Sequence, residues 1–339
     1  MQDDTFALMQ RLAPDLAQEI ERRALVLERI GALQPVGRRQ LAARLNLPER
    51  EVRTVAMLLK EHGLVSLDAA GMSLTPDANA ILPMARLFSR DLRGLTKLEM
   101  QLSETLGVEK VCVVPGNADT DEHVLSEVGR NAAIRLRSFL QSGYTLAVTG
   151  GATMREVAAA IPHSAAMNVM VVPARGGIGR SLVTQANTVA SEIAGRLGGH
   201  HRLMHLPDFM DEQTLTEMRK LSEIDETLTL LERADVILHG IGRADETAQT
   251  RQFPGEVEME VVRKGAVAEA YGCYFNKDGK LVYAASIVAQ HLGTLKPRCA
   301  LIAAAAGAKK AQAITAVMKN RTHAMLITDE GAAKAILGL

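Results

Sequence analysis

Aromatic side chains are almost missing from this chain: they make up 3% of its residues, and none is tryptophan. Its cores must therefore be built mainly from Ala, Leu, Val, Ile and Met. Cysteine is scarce as well. Cys112, Cys273 and Cys299 lie far apart, with no C-x-x-C or Cys/His ligand spacing. That argues against a disulfide scaffold and against structural zinc, so neither a metal nor a cofactor is expected. Long apolar runs are absent too: the longest, Cys299 to Ala308, is about half of the roughly 20 residues a membrane helix needs. The opening MQDDTFALMQ is acidic and has no signal-peptide pattern, so a cytoplasmic location with no membrane contact is expected. Charge of one sign is not in excess, since 39 Lys+Arg stand against 39 Asp+Glu. A balanced total still leaves room for a local patch. What remains is 339 residues of ordinary globular composition, 47% hydrophobic and 23% charged, enough for two domains.

The first ninety residues carry helical rather than strand periodicity. Leu16, Ile20, Ala24, Leu27 and Ile30 recur at helical spacing, and Gln34-Pro35-Val36-Gly37 breaks the run. RRQLAARL (38–45) reads as a short amphipathic helix, and Asn46-Leu47-Pro48 as a turn, with Pro48 suited to the next helix's start. EREVRTVAMLLKEH (49–62) turns Val52, Val55, Ala56 and Leu59 inward and is closed by Gly63. The alternating segments 64–67 and 72–75 around Asp68-Ala69-Ala70-Gly71 predict a hairpin wing. Helix, turn, helix and wing in that order define a winged helix-turn-helix over residues 1–90.

From Arg22 to Lys60 there are nine Lys/Arg against three acids, a local excess of +6. This is the footprint duplex DNA requires, although a solvated face in a protein-interaction winged helix would look the same. On the DNA reading, Arg50, Arg53 and Thr54 face outward near the start of the recognition helix. Arg38 and Arg39 stand at the start of the preceding helix, placed for backbone phosphates. Pro76 to Leu106, interrupted by Pro83 and Gly94, reads as helix, with residues 91–110 as a linker. Operator DNA read by such a module calls for a homo-oligomer, dimer or tetramer.

From residue 111 to 339 short apolar runs alternate with helical segments. The runs are 111–114, 145–149, 169–172, 235–239, 300–303 and 324–327, and the helices 122–140, 154–160, 181–197 and 309–319. The fold class is therefore α/β, a large doubly wound, mostly parallel sheet behind the winged helix. Ligands of such sheets bind beyond the strand C-termini. The loops there are Gly150-Gly151-Ala152-Thr153, Arg175-Gly176-Gly177-Ile178-Gly179, Ile241-Gly242-Arg243 with Arg251 beyond, and Gly307-Ala308-Lys309-Lys310. Each alone reads more readily as a tight strand-to-helix connection. Together they supply converging backbone N–H groups and opposed cations suited to a doubly charged anion.

No Walker loop, dinucleotide fingerprint or nucleophile elbow is present. Asp245, Glu246, Glu269, His291, Asp329 and Glu330 are candidate acids and bases, but none sits in a recognisable catalytic constellation. His239, at a strand end, reads as a packed histidine. Glu269 lies in the apolar stretch AVAEA, where a carboxylate serves either sugar hydroxyls or a salt bridge. A regulator is the favoured reading, and the alternative is a sugar-phosphate isomerase or deaminase with an appended DNA-binding domain.

Several stretches in combination carry a family resemblance: VGRRQLAARLNLPEREVRTVAMLLKEHGLV, VTGGAT, VPARGGIGRSLVTQANTVA, HGIGRADETAQTR, AVAEAYGCYFNKDG and ITDEGAAKAIL. The chain resembles the SorC/DeoR-type bacterial sugar regulators, in particular those that repress glycolytic genes. The resemblance implies an operator-binding winged helix and an effector domain similar in fold to sugar-phosphate isomerases and deaminases but used as a sensor. The implied effector is fructose 1,6-bisphosphate or a related sugar phosphate. Carried over by motif, its contacts are Gly150, Gly151, Ala152, Thr153, Arg175, Gln185, Arg251, Glu269 and Lys310. The first loop and Lys310 would face phosphates, Arg175 and Arg251 would clamp them, and Gln185 and Glu269 would read hydroxyls. Two positions depart from the family pattern: Thr250 stands where an arginine is usual, and Ala152 where a threonine is.

Overall fold

The chain divides into two units, residues 1–97 and 98–339. The structure is a computed structural model that describes residues 8–9, 11–45, 47–163, 167–176, 182–206, 212–251, 260–284 and 299–339. The side chains of Arg86, Glu212 and residues 248–251 also fall outside the description.

In the first unit, α1 (Pro14–Leu33), α2 (Arg38–Leu45) and α3 (Glu49–Glu61) form where the apolar repeats predict them. Val26, Leu27, Ile30, Leu41, Val52, Val55 and Leu59 share one buried core. At the end of α3 the Leu64 N–H donates to the Leu59 carbonyl (2.8 Å) and the Gly63 N–H to the Lys60 carbonyl (2.9 Å), the paired bonds that satisfy a helix's last carbonyls. The wing is the antiparallel pair β1 (Val65–Leu67) and β2 (Met72–Leu74), in register Val65↔Leu74. Asp68 turns it by accepting the Ala70 and Gly71 N–H groups at 2.8 and 3.0 Å. Val36 adds a bridge to Met72, which ties the wing to the start of α2. The helical stretch over 76–106 is interrupted at Gly94 (φ +66°), as its sequence suggested, into α4 (Pro76–Leu92) and α5 (Leu95–Leu106). Pro83 sits inside α4 without ending it.

The second unit is built on a seven-stranded sheet. Its strands are β3 (Val111–Val114), β4 (Thr145–Val148), β5 (Met170–Pro173), β6 (His200–His201), β7 (Val236–Gly240), β12 (Ala300–Ala304) and β13 (Met325–Asp329). They lie in the order β3-β13-β12-β7-β4-β5-β6, and every pairing is parallel. Alternate residues serve opposite faces. Leu146, Val148, Val171, Leu238 and Ile302 pack against α6 (Glu122–Leu136), α7 (Ala152–Ala160) and α8 (Ala186–Leu197). Ala147, Val172, Ile237 and Leu301 pack on the other side with Leu215 of α9 (Glu212–Met218) and Leu228 and Leu231 of α10 (Ser222–Glu232). Burial on both faces is why β3, β5 and β12 are short, unbroken apolar runs, whereas the edge strand His200–His201 is exposed.

One layer was not expected. A second, antiparallel sheet orders β11 (Leu281–Ala284), β10 (Cys273–Asn276), β9 (Ala266–Ala270) and β8 (Gly242–Arg243). Its strands of two to five residues mix Ala, Glu, Tyr and Asn, which hides the alternation a half-exposed strand normally displays. Helix α11 (Ala244–Arg251) follows β8, and α12 (Ala311–Asn320) and α13 (Glu330–Leu337) complete the unit. The helix expected from residue 181 begins at Ala186 behind a 3-10 turn over Leu182–Thr184; Ser181 itself lies outside the described residues. Among the described residues no helix is long and apolar enough to cross a membrane.

Candidate functional site

Strand order creates the site. After β4 the chain winds outward through β5 and β6, and after β7 it winds the other way through β12 and β13. The loops leaving β4 and β7 therefore diverge, and a crevice opens between them, where doubly wound sheets bind ligands. Here it is a cavity of about 330 Å³ lined by Thr149, Gly150, Gly151, Ala152, Thr153, Arg175, Gly240, Ile241, Gly242, Glu246, Thr247, Glu269, Tyr271 and Lys310.

Thr149 holds the two loops together: its hydroxyl accepts the Gly240 N–H at 3.1 Å. A Cβ at Gly150 would stand 2.3 Å from the Thr184 carbonyl oxygen, so only glycine fits that approach. Gly151, at φ +109°, donates its N–H to the same carbonyl at 2.8 Å. The chain then enters α7 at Ala152 with no side-chain cap, leaving the positive end of the helix facing the cavity.

Arg175, at the end of β5, donates from Nη1 to Glu269 Oε1 at 3.0 Å, and both side chains are 6% exposed. The same carboxylate oxygen accepts the Gly272 N–H at 2.7 Å. Glu269 thus stands at the tip of the β9–β10 hairpin, where Tyr271 (φ +42°) and Gly272 (φ +88°) make the turn. Burial pushes the Tyr271 phenol above its usual range, so it remains a neutral wall.

Lys310 enters from the opposite side. Burial lowers its pKa, while the carboxylates of Glu246, Asp119 and Asp329 pull it back up. Among the described residues its ammonium makes no hydrogen bond or ion pair, and Lys309 beside it is exposed. Asp329 places this loop. Fully buried, it accepts N–H groups from Gly307 (2.9 and 3.0 Å to its two oxygens), Ala118 (2.7 Å) and Ala332 (2.9 Å). Its acceptor capacity is spent on backbone, so this candidate acid is a brace. Glu330, another candidate, accepts the Gly116 N–H at 3.1 Å and pairs with Lys334 at 2.6 Å. At the rim Arg243 grips Asp245 and reaches Glu246 at 3.3 Å, which raises its own pKa and lowers that of Asp245.

His239 is packed, as its strand-end position suggested. Its Nε2 faces His323 Nε2 at 3.1 Å, its Nδ1 the Gly240 carbonyl at 3.1 Å, and its ring meets Tyr271 edge-on. Burial holds both imidazoles well below their usual pKa, and the facing His323 adds to the depression at His239.

Of the residues expected to bind effector, Gly150, Gly151, Ala152, Thr153, Arg175, Glu269 and Lys310 line this one cavity. Gln185 stands one step behind the Gly150 wall, half-buried where α8 begins. Arg251 ends α11, but its side chain lies outside the described residues, as do Gly177 to Ser181 and the candidate His291. Ile241 and Gly242 come from a loop the sequence had singled out, whereas Thr149, Thr247 and Tyr271 were not expected; the Tyr-Gly pair after Glu269 was the only local sign of that hairpin tip. A larger cleft of about 880 Å³ beside β6 has apolar walls that include Met204, Leu206 and Met218, and its Arg202 already leans on Glu226 at 3.8 Å.

In the first unit, α3 buries Val52, Val55, Ala56 and Leu59 and turns Arg50, Arg53, Thr54 and Met57 to solvent. Arg38 and Arg39 are exposed at the start of α2, and Arg39 lies 3.6 Å from Glu49. Such exposed pairs are weak.

A winged helix-turn-helix followed by an α/β unit with a switch-point cavity lined by both cations and carboxylates defines the class: a DNA-binding transcription regulator with a sugar-binding domain. A family model described as a putative sugar-binding domain matches residues 90–338, and one described as the CggR N-terminal DNA binding domain matches residues 20–86. The chain is 36% identical over 333 residues to the central glycolytic genes regulator of Priestia megaterium, covering 97% of each. It is 35% identical over 328 residues to that of Bacillus subtilis, covering 96% of each. The chain belongs to this family of SorC-type sugar-binding transcription regulators. A putative SorC family transcriptional regulator from Enterococcus faecalis superposes with a TM-score of 0.64 at 34% identity, over 71% of this chain and 99% of that one. The full-length sorbitol operon regulator SorC from Klebsiella pneumoniae shares the fold across 95% of this chain and 99% of its own, with a TM-score of 0.62 at 19% identity. These relatives are transcription regulators.

Proposed function

We propose that this chain represses glycolytic genes by holding operator DNA with residues 1–90, and that fructose 1,6-bisphosphate bound by residues 111–339 weakens that hold, with 91–110 as the link. The observation that carries the reading is the meeting, in one cavity, of an uncapped helix N-terminus, Lys310 and the Arg175–Glu269 pair. One phosphate would lie on the α7 amides and Lys310, the arrangement that anions favour. The sugar hydroxyls would lie against Glu269, with Gln185 reading them from behind the first loop. The described lining has two cations, Arg175 and Lys310, and two carboxylates, Glu246 and Glu269. A bisphosphate brings more negative charge than this set neutralises, so Arg251 is proposed as the clamp for the second phosphate together with Arg175. The named regulators of glycolytic genes at 35–36% identity support the same assignment.

DNA would be held by Arg50, Arg53 and Thr54 from the recognition helix and by Arg38 and Arg39 on the phosphates, in a dimer or tetramer matched to a repeated site. For the sugar to act, its affinity must differ between the DNA-bound and free states. Gel-shift titration of the full chain on its selected operator, with fructose 1,6-bisphosphate, fructose 6-phosphate and ribose 5-phosphate, tests this. Release is expected with the bisphosphate first; indifference to every sugar phosphate would sink the sensor reading.

A further inference from the structure

The outward face of α3 is charged except at its centre. At 100° per residue, Arg50, Arg53, Thr54 and Met57 fall within about 100° of arc, roughly opposite the buried Val52 and Leu59. Met57 is 41% exposed there, a large thioether set among guanidinium groups, where solvation alone favours a polar residue. Thr54 beside it has committed its hydroxyl: Oγ1 donates to the Arg50 carbonyl at 3.0 Å. With its proton so used, the exposed side chain keeps an oxygen that can only accept and a γ-methyl available for apolar contact. Met57 at the centre and Thr54 at the edge, three residues apart, thus add apolar surface to a face whose arginines suit phosphate and guanine, with Glu61 one turn beyond Met57.

The major groove offers one apolar group on its floor, the 5-methyl of thymine. From Arg50 to Met57 the helix rises about 10 Å, the length of roughly three base pairs, so the apolar pair falls within the helix's reading frame. The flanking Arg50 and Arg53 give this face the charge that draws it to a duplex. We infer that Thr54 and Met57 form a thymine-methyl contact that specifies at least one base of each half-site. The inference rests on the proposed use of α3 as the recognition helix.

The test uses the full chain and a duplex that the wild-type protein selects from a random-sequence pool. Each thymine of the selected site is then replaced by deoxyuridine, which removes only the 5-methyl. At one or two positions the replacement is expected to weaken wild-type binding about four-fold, the effect of losing one buried methyl. Thr54→Ser and Met57→Ala should erase that uridine penalty, while Thr54→Val, which keeps the methyl and lacks the hydroxyl, should retain it. Both side chains are exposed, so the variants should unfold like the wild type. Met57→Ala should also leave the salt dependence of binding unchanged, as a contact without charge must. The inference is overturned if no thymine is sensitive to uridine, or if the penalty survives in both Thr54→Ser and Met57→Ala. If the wild type enriches no duplex, the recognition-helix reading falls and this inference with it.

Discussion

Arg175 and Glu269, 94 residues apart in the chain, meet at 3.0 Å with each side chain 6% exposed. The pair ties the end of β5 to the hairpin tip of the second sheet. It also means that Arg175 is not a bare phosphate clamp, because part of its charge is already answered by Glu269.

Breaking a buried pair from one side leaves a stranded charge, which costs about 3–5 kcal/mol. Arg175→Ala is therefore expected to lower stability by about 3 kcal/mol as well as to abolish sugar-phosphate binding. The double change Arg175→Met with Glu269→Leu should recover most of the stability and none of the binding. Urea unfolding and calorimetry on the same samples check both halves; an unaltered midpoint in Arg175→Ala would show that the pair is no brace.

With Lys310 in its proposed role, effector affinity is expected to depend on pH. Its pKa is lowered by burial, so its charge is lost on alkaline titration earlier than an exposed lysine's would be. Sugar phosphates are already fully ionised above about pH 7.5, given a second pKa near 6. Affinity is thus expected to fall as pH rises from there, with proton uptake on binding. Lys310→Met should bind about ten-fold or more weakly and lose the pH dependence. Calorimetry in buffers of different ionisation enthalpy measures the protons directly.

The two glycines of the first loop should fail differently. Gly150→Ala forces a methyl to 2.3 Å from the Thr184 carbonyl oxygen, so the backbone must move and the effector site with it. Gly151→Ala meets no atom within 4 Å, but its φ of +109° strains an L-residue by about 1–3 kcal/mol. Thermal unfolding and effector titration should show Gly150→Ala as the more damaging to binding. Equal loss of affinity in the two variants would contradict that close approach.

His239 and His323 are expected to make stability sensitive to acid. Their folded pKa values lie below the usual 6.5, so below about pH 6.5 the unfolded chain binds more protons than the folded one. Stability is then lost as pH falls from about 6.5 toward about 4, where His323 itself takes up a proton. Unfolding curves across that range should flatten in His239→Gln; the same slope in the variant would assign the acid loss to other groups.

On the DNA side, Arg53→Ala should reduce the slope of log affinity against log salt by about one, the release of one counterion, and leave sugar-phosphate affinity unchanged. An unaltered slope would place Arg53 away from the phosphates.

Much of this molecule is legible one element at a time. The winged helix is announced by Pro48, Gly63 and the 52-55-56-59 apolar stripe, and the parallel sheet by short runs such as Val111–Val114 and Met170–Pro173. These signals are local, because a helix face or a strand is set by residues a few positions apart. The second sheet escaped because two-residue β8 and the mixed strand AVAEA carry no clear period.

By itself, then, the sequence determined the helix-turn-helix with its basic face, the α/β class and the loops rich in glycine and cations. Tertiary structure alone decided which loops share a cavity, since that follows from the order β12-β7-β4-β5 rather than from order along the chain. It also decided that Lys310 enters the cavity while Lys309 stays in solvent, that Asp329 is a brace, and that Arg175 meets Glu269 across 94 residues. The physical reason is the same in each case. Burial, and with it the charge state and partner of a side chain, is set by neighbours that only the folded sheet brings together.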